Sequence, residues 1–127
     1  MNLSAIISAY AILPNLKVQS KKQLLQELSQ HLGSELAIDQ RIIFETLLTR
    51  EKLGSTGLGQ GIAIPHGRLP SITKVHGLFA KLATPVDFDS VDGEAVDLVF
   101  VLLSPDHAGA DHLTALARIS HSVCKRV

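Results

Sequence analysis

Apolar residues recur at helical spacing in the first third of the chain, where Leu24, Leu25, Leu28 and Leu32 follow Ser20-Lys21-Lys22-Gln23. That tetrapeptide fits a capping box, in which the Ser hydroxyl and the Gln side chain satisfy orphan amides at a helix start. The spacing predicts an amphipathic helix from Ser20 to about Gly33, with the glycine just past its end. Asp39 reads as the N-cap of a second helix, with Ile43 and Leu47 on one face, an Arg41/Glu45 pair outside and an end between Arg50 and Leu53. Four glycines then fall among the eight residues Gly54 to Gly61. Neither a helix nor a central strand tolerates that density cheaply, so the segment reads as a loop.

Beyond the loop the pattern turns to strands. Ile62-Ala63-Ile64 reads as a short strand closed by Pro65, which lacks an amide hydrogen and pushes Ile64 towards extended geometry; His66 then sits at a strand end. Val75 to Leu82 and Val86 to Phe88 are strand-like, and Asp92-Gly93 signals a hairpin turn. Val96 to Leu103, interrupted only by Asp97, reads as a central strand covered on both faces and ended by Pro105. From about Ala110, residues Leu113, Leu116, Ala117, Ser120, Val123 and Cys124 follow the spacing of a third amphipathic helix, still in progress at Val127. Together these elements predict a single-domain α/β sandwich, a mixed central sheet flanked by helices.

Composition narrows the function classes. The 127 residues are 46% hydrophobic and 19% charged, which excludes disorder. Twelve Lys and Arg balance twelve Asp and Glu, against a generic nucleic-acid binder, which needs a basic surplus to displace counterions. One cysteine, Cys124, permits neither an intrachain disulfide nor a thiolate cage and fits a reducing setting. No apolar run reaches the roughly 18 residues of a membrane span, and Met1 to Tyr10 lacks the form of a signal peptide. A cytoplasmic protein without membrane insertion is expected.

The balanced total conceals an asymmetry. The stretch from Lys52 to Val86 contains no acidic residue but includes Lys52, Arg68, Lys74 and Lys81. Such a stretch favours an anion near His66. The glycine loop fails both nucleotide patterns: a phosphate-binding loop begun at Gly54 would need Lys and Ser/Thr where Gln60 and Gly61 stand, and a dinucleotide fingerprint begun at Gly57 would need glycine at Ile62. Loop amides, Ser55, Thr56 and Arg50 or Arg68 can instead donate to phosphate oxygens. Neutral imidazole is nucleophilic at physiological pH without a separate base, so transient phosphorylation of His66 fits. A lone histidine at a strand end is more often structural, and residue types leave both readings open.

The run Arg50-Glu51-Lys52-Leu53-Gly54-Ser55-Thr56-Gly57-Leu58-Gly59-Gln60-Gly61-Ile62-Ala63-Ile64-Pro65-His66-Gly67-Arg68-Leu69 resembles the signature of the enzyme IIA domains of the bacterial phosphoenolpyruvate-dependent phosphotransferase system, mannitol/fructose type. Pro-His-Gly-Arg is most similar to the nitrogen-regulatory branch. Thr84 to Phe88, Asp92-Gly93 and Asp111-His112-Leu113 extend the resemblance over nearly the whole chain. It implies that His66 accepts a phosphoryl group from a small HPr-like carrier, with neither cofactor nor metal. It further implies that Arg50 and Ser55 or Thr56, beside the Gly57 amide, hold the phosphate, that His112 stands near the site and that Arg68 adds charge. The implied acceptors are regulatory proteins such as potassium-transport regulators and sensor kinases or, for a sugar-specific member, a IIB domain. A non-catalytic anion-binding regulatory module is the rival from another class.

His31, His76, His107 and His121 read as surface or packing residues, and a two-histidine metal site from His107 and His112 lacks helical register. Members of the family usually continue past the last helix. By that pattern residues 1–127 look like one domain lacking a C-terminal helix, and the apolar surface so exposed is expected to lead either to a homodimer or to reduced stability.

Overall fold

The structure, a computed structural model, describes residues 11–105. Strand β1 (Ala11–Leu16) leads to helices α1 (Lys21–Leu36) and α2 (Gln40–Lys52), followed by strands β2 (Gly57–Gly59), β3 (Ile62–Ala63), β4 (His66–Arg68), β5 (His76–Val86) and β6 (Val96–Ser104). The six strands form one mixed sheet in the order β1-β5-β6-β3-β2, with β4 also paired to β6. Strands β1 and β5 are parallel, β5 and β6 antiparallel, β3 and β4 parallel to β6, and β2 antiparallel to β3. Among the described residues, no helix is long and apolar enough to cross a membrane.

Both helices begin where their caps place them. The Ser20 hydroxyl accepts from the Gln23 amide, while the Gln23 side chain accepts from Gln19 rather than from Ser20, so the reciprocal bond lies one residue earlier than the capping box predicts. The Asp39 carboxylate accepts from the Arg41 amide, and Arg41 pairs with Asp39 rather than standing only opposite Glu45. Helix α1 overruns its predicted end. Gly33 lies inside it and Ala37 caps it in the left-handed region, φ 56°. The glycine serves close approach: a Cβ there would stand 2.8 Å from the Ile38 carbonyl oxygen and 3.2 Å from Gln40 Cα, so α2 could not start so close to α1.

One strand has no counterpart in the sequence reading, and two sequence expectations about strands change. Strand β1 carries no clear alternation and contains Pro14, which this position accommodates because, among the described residues, β1 lies at the sheet edge and pairs only with β5. The first strand-like segment runs on through Pro85 to Val86 as one strand, β5, and leaves Asp87 and Phe88 outside it; its pairing with β6 is irregular between Lys81 and Val86. The glycine segment is only partly loop: Gly57–Gly59 is an outer strand joined to β3 by a two-residue turn, Gln60-Gly61, with positive φ at both residues.

The core forms where the helices meet alternate residues of the central strands. Leu24, Leu25, Leu28 and Leu32 of α1 and Ile43 and Leu47 of α2 share one cluster with Leu78, Ala80 and Leu82 of β5 and Val99, Val101 and Leu103 of β6. Phe100 and Leu102 point to the opposite face and are also buried, as expected for a central strand apolar on both sides. The segment expected to form a third helix and residues His107, His112, His121 and Cys124 lie outside the described residues.

Candidate functional site

Strands β3 and β4 behave as one path along β6, interrupted at Ile64-Pro65. Ile62 pairs with Leu98 and His66 with Leu102 in the same register, and across the break the Pro65 carbonyl still accepts from the Leu102 amide at 3.0 Å. The interruption turns the Ile64 carbonyl towards the histidine ring, where it lies 2.9 Å from His66 Nδ1. A carbonyl oxygen only accepts, so Nδ1 carries the proton and Nε2 keeps its lone pair.

Arg50 meets that nitrogen. It stands in the last turn of α2, donates from Nε to His66 Nε2 at 3.2 Å and from Nη1 to the Gly54 carbonyl at 2.8 Å. Strand β4 can lie against α2 because residue 67 is glycine: a Cβ there would fall 2.5 Å from Thr46 Cγ2. Burial holds the half-buried His66 below the ordinary imidazole pKa; the Arg50 charge adds to this, while the Ile64 bond and Glu51 oppose it. The balance favours the neutral ring.

The other predicted groups serve the loop. Ser55 donates to the Phe88 carbonyl at 2.6 Å and accepts from the Gly57 amide at 3.0 Å. Thr56 is 4% exposed, and both its amide and its hydroxyl donate to the Glu51 carboxylate. Gly57 packs against Ser90. Of the groups expected to hold a phosphate, Arg50 is brought onto His66, while Ser55, Thr56 and Gly57 are engaged in the loop's own bonds. Arg68 is exposed at the end of β4, and His112 lies outside the described residues. The acid-free stretch does not stay acid-free in space. The β5–β6 connection bears Asp87, Asp89, Asp92 and Glu94 and folds against the β2–β3 hairpin, where Asp92 accepts from the Gln60 amide at 2.9 Å.

Sequence reading missed Glu51 and Lys21. The Glu51 side chain is 2% exposed and pairs with Lys21 Nζ at 3.1 Å. Lys21 also donates to the Phe88 carbonyl at 3.4 Å and lies 4.5 Å from the centre of the Phe88 ring. The signal was present: Ile43, Leu47 and Glu51 repeat every four residues, which puts a carboxylate on the inner stripe of α2.

Residues 5–125 match the family profile described as phosphoenolpyruvate-dependent sugar phosphotransferase system, EIIA 2. A nitrogen regulatory protein of Bradyrhizobium diazoefficiens is 56% identical over 120 residues, covering 94% of this chain and 78% of that protein. The crystal structure of nitrogen regulatory protein IIA-Ntr from Neisseria meningitidis superposes with a TM-score of 0.87 at 41% identity, covering 93% of this chain and 80% of that one, and bears out the mixed α/β fold. The fructose-specific EIIABC component of Bacillus subtilis is a more distant relative, 31% identical over 121 residues that span 94% of this chain and 19% of that protein. The chain therefore belongs to the EIIA type-2 family of the phosphoenolpyruvate-dependent phosphotransferase system, and is more similar to its nitrogen regulatory proteins than to this sugar-specific component.

Proposed function

We propose that the protein is a cytoplasmic phosphocarrier of the nitrogen-related branch, with His66 Nε2 as the phosphoryl acceptor. The observation that carries this reading is the placing of the ring between two partners, with Nδ1 against the Ile64 carbonyl, which leaves the lone pair on Nε2, and Nε2 facing Arg50. The donor is the phosphohistidine of a small HPr-like carrier. The carrier's N–P bond breaks with its electron pair returning to the donor nitrogen, and Nε2 uses its own lone pair to form the new N–P bond. Positive charge then spreads over the ring, and the Nδ1–H bond to Ile64 strengthens as it does.

Arg50 Nε occupies the approach to Nε2, so the guanidinium swings towards the phosphoryl oxygens as the phosphorus arrives. Its Nη1 bond to Gly54 provides the pivot. Phosphoryl transfer between two imidazoles depends mainly on positioning and charge neutralisation, which a single arginine beside an oriented ring supplies. Ser55, Thr56 and Gly57 support the phosphate by holding the loop. His112 and Arg68 complete the proposed site as a second histidine and a further cation. The phosphorylated and free forms then act on regulatory proteins, with potassium-transport regulators and sensor kinases as the classes to test.

Incubation with phosphoenolpyruvate, enzyme I and the HPr-type carrier should give an acid-labile, base-stable phosphate that is absent from His66→Ala. Absence of label from the intact protein overturns the carrier reading. Efficient transfer onward to a sugar IIB domain defeats the nitrogen-branch assignment and favours the sugar-specific one.

A further inference from the structure

We infer that Glu51 is a positioning residue for the phosphoryl acceptor: its buried carboxylate anchors a hydrogen-bonded chain through Thr56 and Ile64 that ends on His66 Nδ1. The inference rests on the acceptor role proposed for His66.

A carboxylate on the inner stripe of a helix is costly unless it is fully compensated, and an apolar residue would fill that position more simply. Here the compensation is specific. Oε1 takes the Lys21 ammonium and the Thr56 amide, each at 3.1 Å, and Oε2 takes the Thr56 hydroxyl. Lys21 is itself held by the Phe88 carbonyl, the Phe88 ring and Asp89 at 3.7 Å. The carboxylate thus grips one residue, Thr56, by both of its donors.

Two paths lead from that grip to the imidazole. Along the first, the Thr56 carbonyl accepts from the Ile64 amide at 3.0 Å and the Ile64 carbonyl accepts from His66 Nδ1 at 2.9 Å, so each peptide orients and polarises the next. Along the second, Gly54 lies between Glu51 and Thr56; its amide bonds the Glu51 carbonyl at 3.1 Å and its carbonyl receives Arg50 Nη1. Releasing Thr56 loosens both the acceptor that fixes the ring's proton and the pivot of the guanidinium. With the Ile64 carbonyl displaced, the proton can move to Nε2. That tautomer has no lone pair on Nε2 for phosphorus, and it sets an N–H against the N–H of Arg50.

The test uses the full chain carrying Glu51→Gln or Thr56→Val, which removes the hydroxyl at nearly constant shape. Two measurements are made: the His66 tautomer in the unphosphorylated protein by long-range proton–nitrogen spectra, and the rate of phosphorylation by the phosphorylated carrier. In Glu51→Gln the kcat for phosphorylation should fall by about tenfold or more with little change in KM, and Nε2–H signal should appear beside Nδ1–H. Thr56→Val should move both readouts the same way by less, since its amide bond survives. Retention of the wild-type tautomer with rates within about twofold in cooperatively folded variants overturns the inference. If Glu51→Gln does not fold, Thr56→Val decides by the same criteria. If the wild-type chain takes no phosphate, the acceptor reading fails on its own, and the tautomer still decides whether Glu51 positions the ring.

Discussion

The two flanks of β6 are held by different physics. On one side β5 runs antiparallel through a long ladder, with Leu78 opposite Val101 and Ala80 opposite Val99, all within the apolar core. On the other side the β3–β4 path is short and broken at Pro65, and its histidine is oriented by individual polar bonds from Arg50, Ile64 and, through Thr56, Glu51. Apolar contact is spread over many atoms and has little direction, whereas each polar bond fixes one atom. The β5 flank should therefore set stability, and the β4 flank should set chemistry.

The largest effect expected on the chemical flank, short of removing His66, comes from Arg50→Ala. Loss of a preoriented cation at a reacting phosphoryl group should lower the phosphorylation rate by about 10² to 10³. The same variant should shift the imidazole titration. Burial and the Arg50 charge both favour the neutral ring, so the wild-type midpoint lies below 6.5 and should move up towards it when the arginine is gone. Because the folded state binds the proton less readily than the unfolded chain, His66 lowers stability as pH falls below 6.5 and leaves it unaffected above. A nitrogen-detected titration checks the sign; a wild-type midpoint above 6.5 contradicts the neutral-acceptor reading.

On the apolar flank the expected outcome is reversed. Leu78 is almost fully buried in the core, and Leu78→Ala should cost about 2 to 4 kcal/mol in a denaturant titration. The folded fraction should keep the wild-type His66 tautomer and phosphorylation rate. A changed tautomer in that fraction would show that the two flanks are not separable.

Gly67→Ala tests the seam between them. The added Cβ would meet Thr46 Cγ2, so β4 must withdraw from α2 or Thr46 must rotate. Overpacking of this kind costs about 1 to 3 kcal/mol, and here it also shifts the residue next to His66. Both the denaturation midpoint and the phosphorylation rate should fall, unlike the single-sided effects of Arg50→Ala and Leu78→Ala. Recovery of both by the double variant Gly67→Ala with Thr46→Ala would assign the effect to that contact.

What could be read in the sequence divides along the same line. Periodicity located α1, α2 and β6, because burial of an apolar stripe is a repeated local signal. His66 and Arg50 were visible through their neighbours: Pro65 punctuates a strand, and the arginine precedes a glycine loop at a helix end. Features set by distant partners were not visible. Gly33 ends a helix until the return of the chain at Ile38 is known, and Thr84-Pro85 splits β5 until its irregular pairing with β6 is known. The sequence shows the hydroxyls of Ser55 and Thr56, yet what those hydroxyls bond depends on Phe88, far along the chain, and on Glu51. The charge asymmetry along the chain is likewise incomplete as a description of space, since the β5–β6 connection returns carboxylates to the hairpin.

The smallest expected effect lies at the start of α1. Ser20 caps the helix from its hydroxyl, and Ser20→Ala should lower stability by about 1 kcal/mol through the unsatisfied Gln23 amide. Lys21 follows directly, so fraying of this turn could in principle reach Glu51. It should not, because the lysine head is held by contacts beyond the helix, to Glu51, Phe88 and Asp89, which do not require the cap. Ser20→Ala should therefore leave the His66 tautomer and the phosphorylation rate unchanged. A tautomer shift in this variant would instead extend the chemical flank to the N-terminal turn of α1 and make the Lys21 backbone, as well as its side chain, part of what orients the ring.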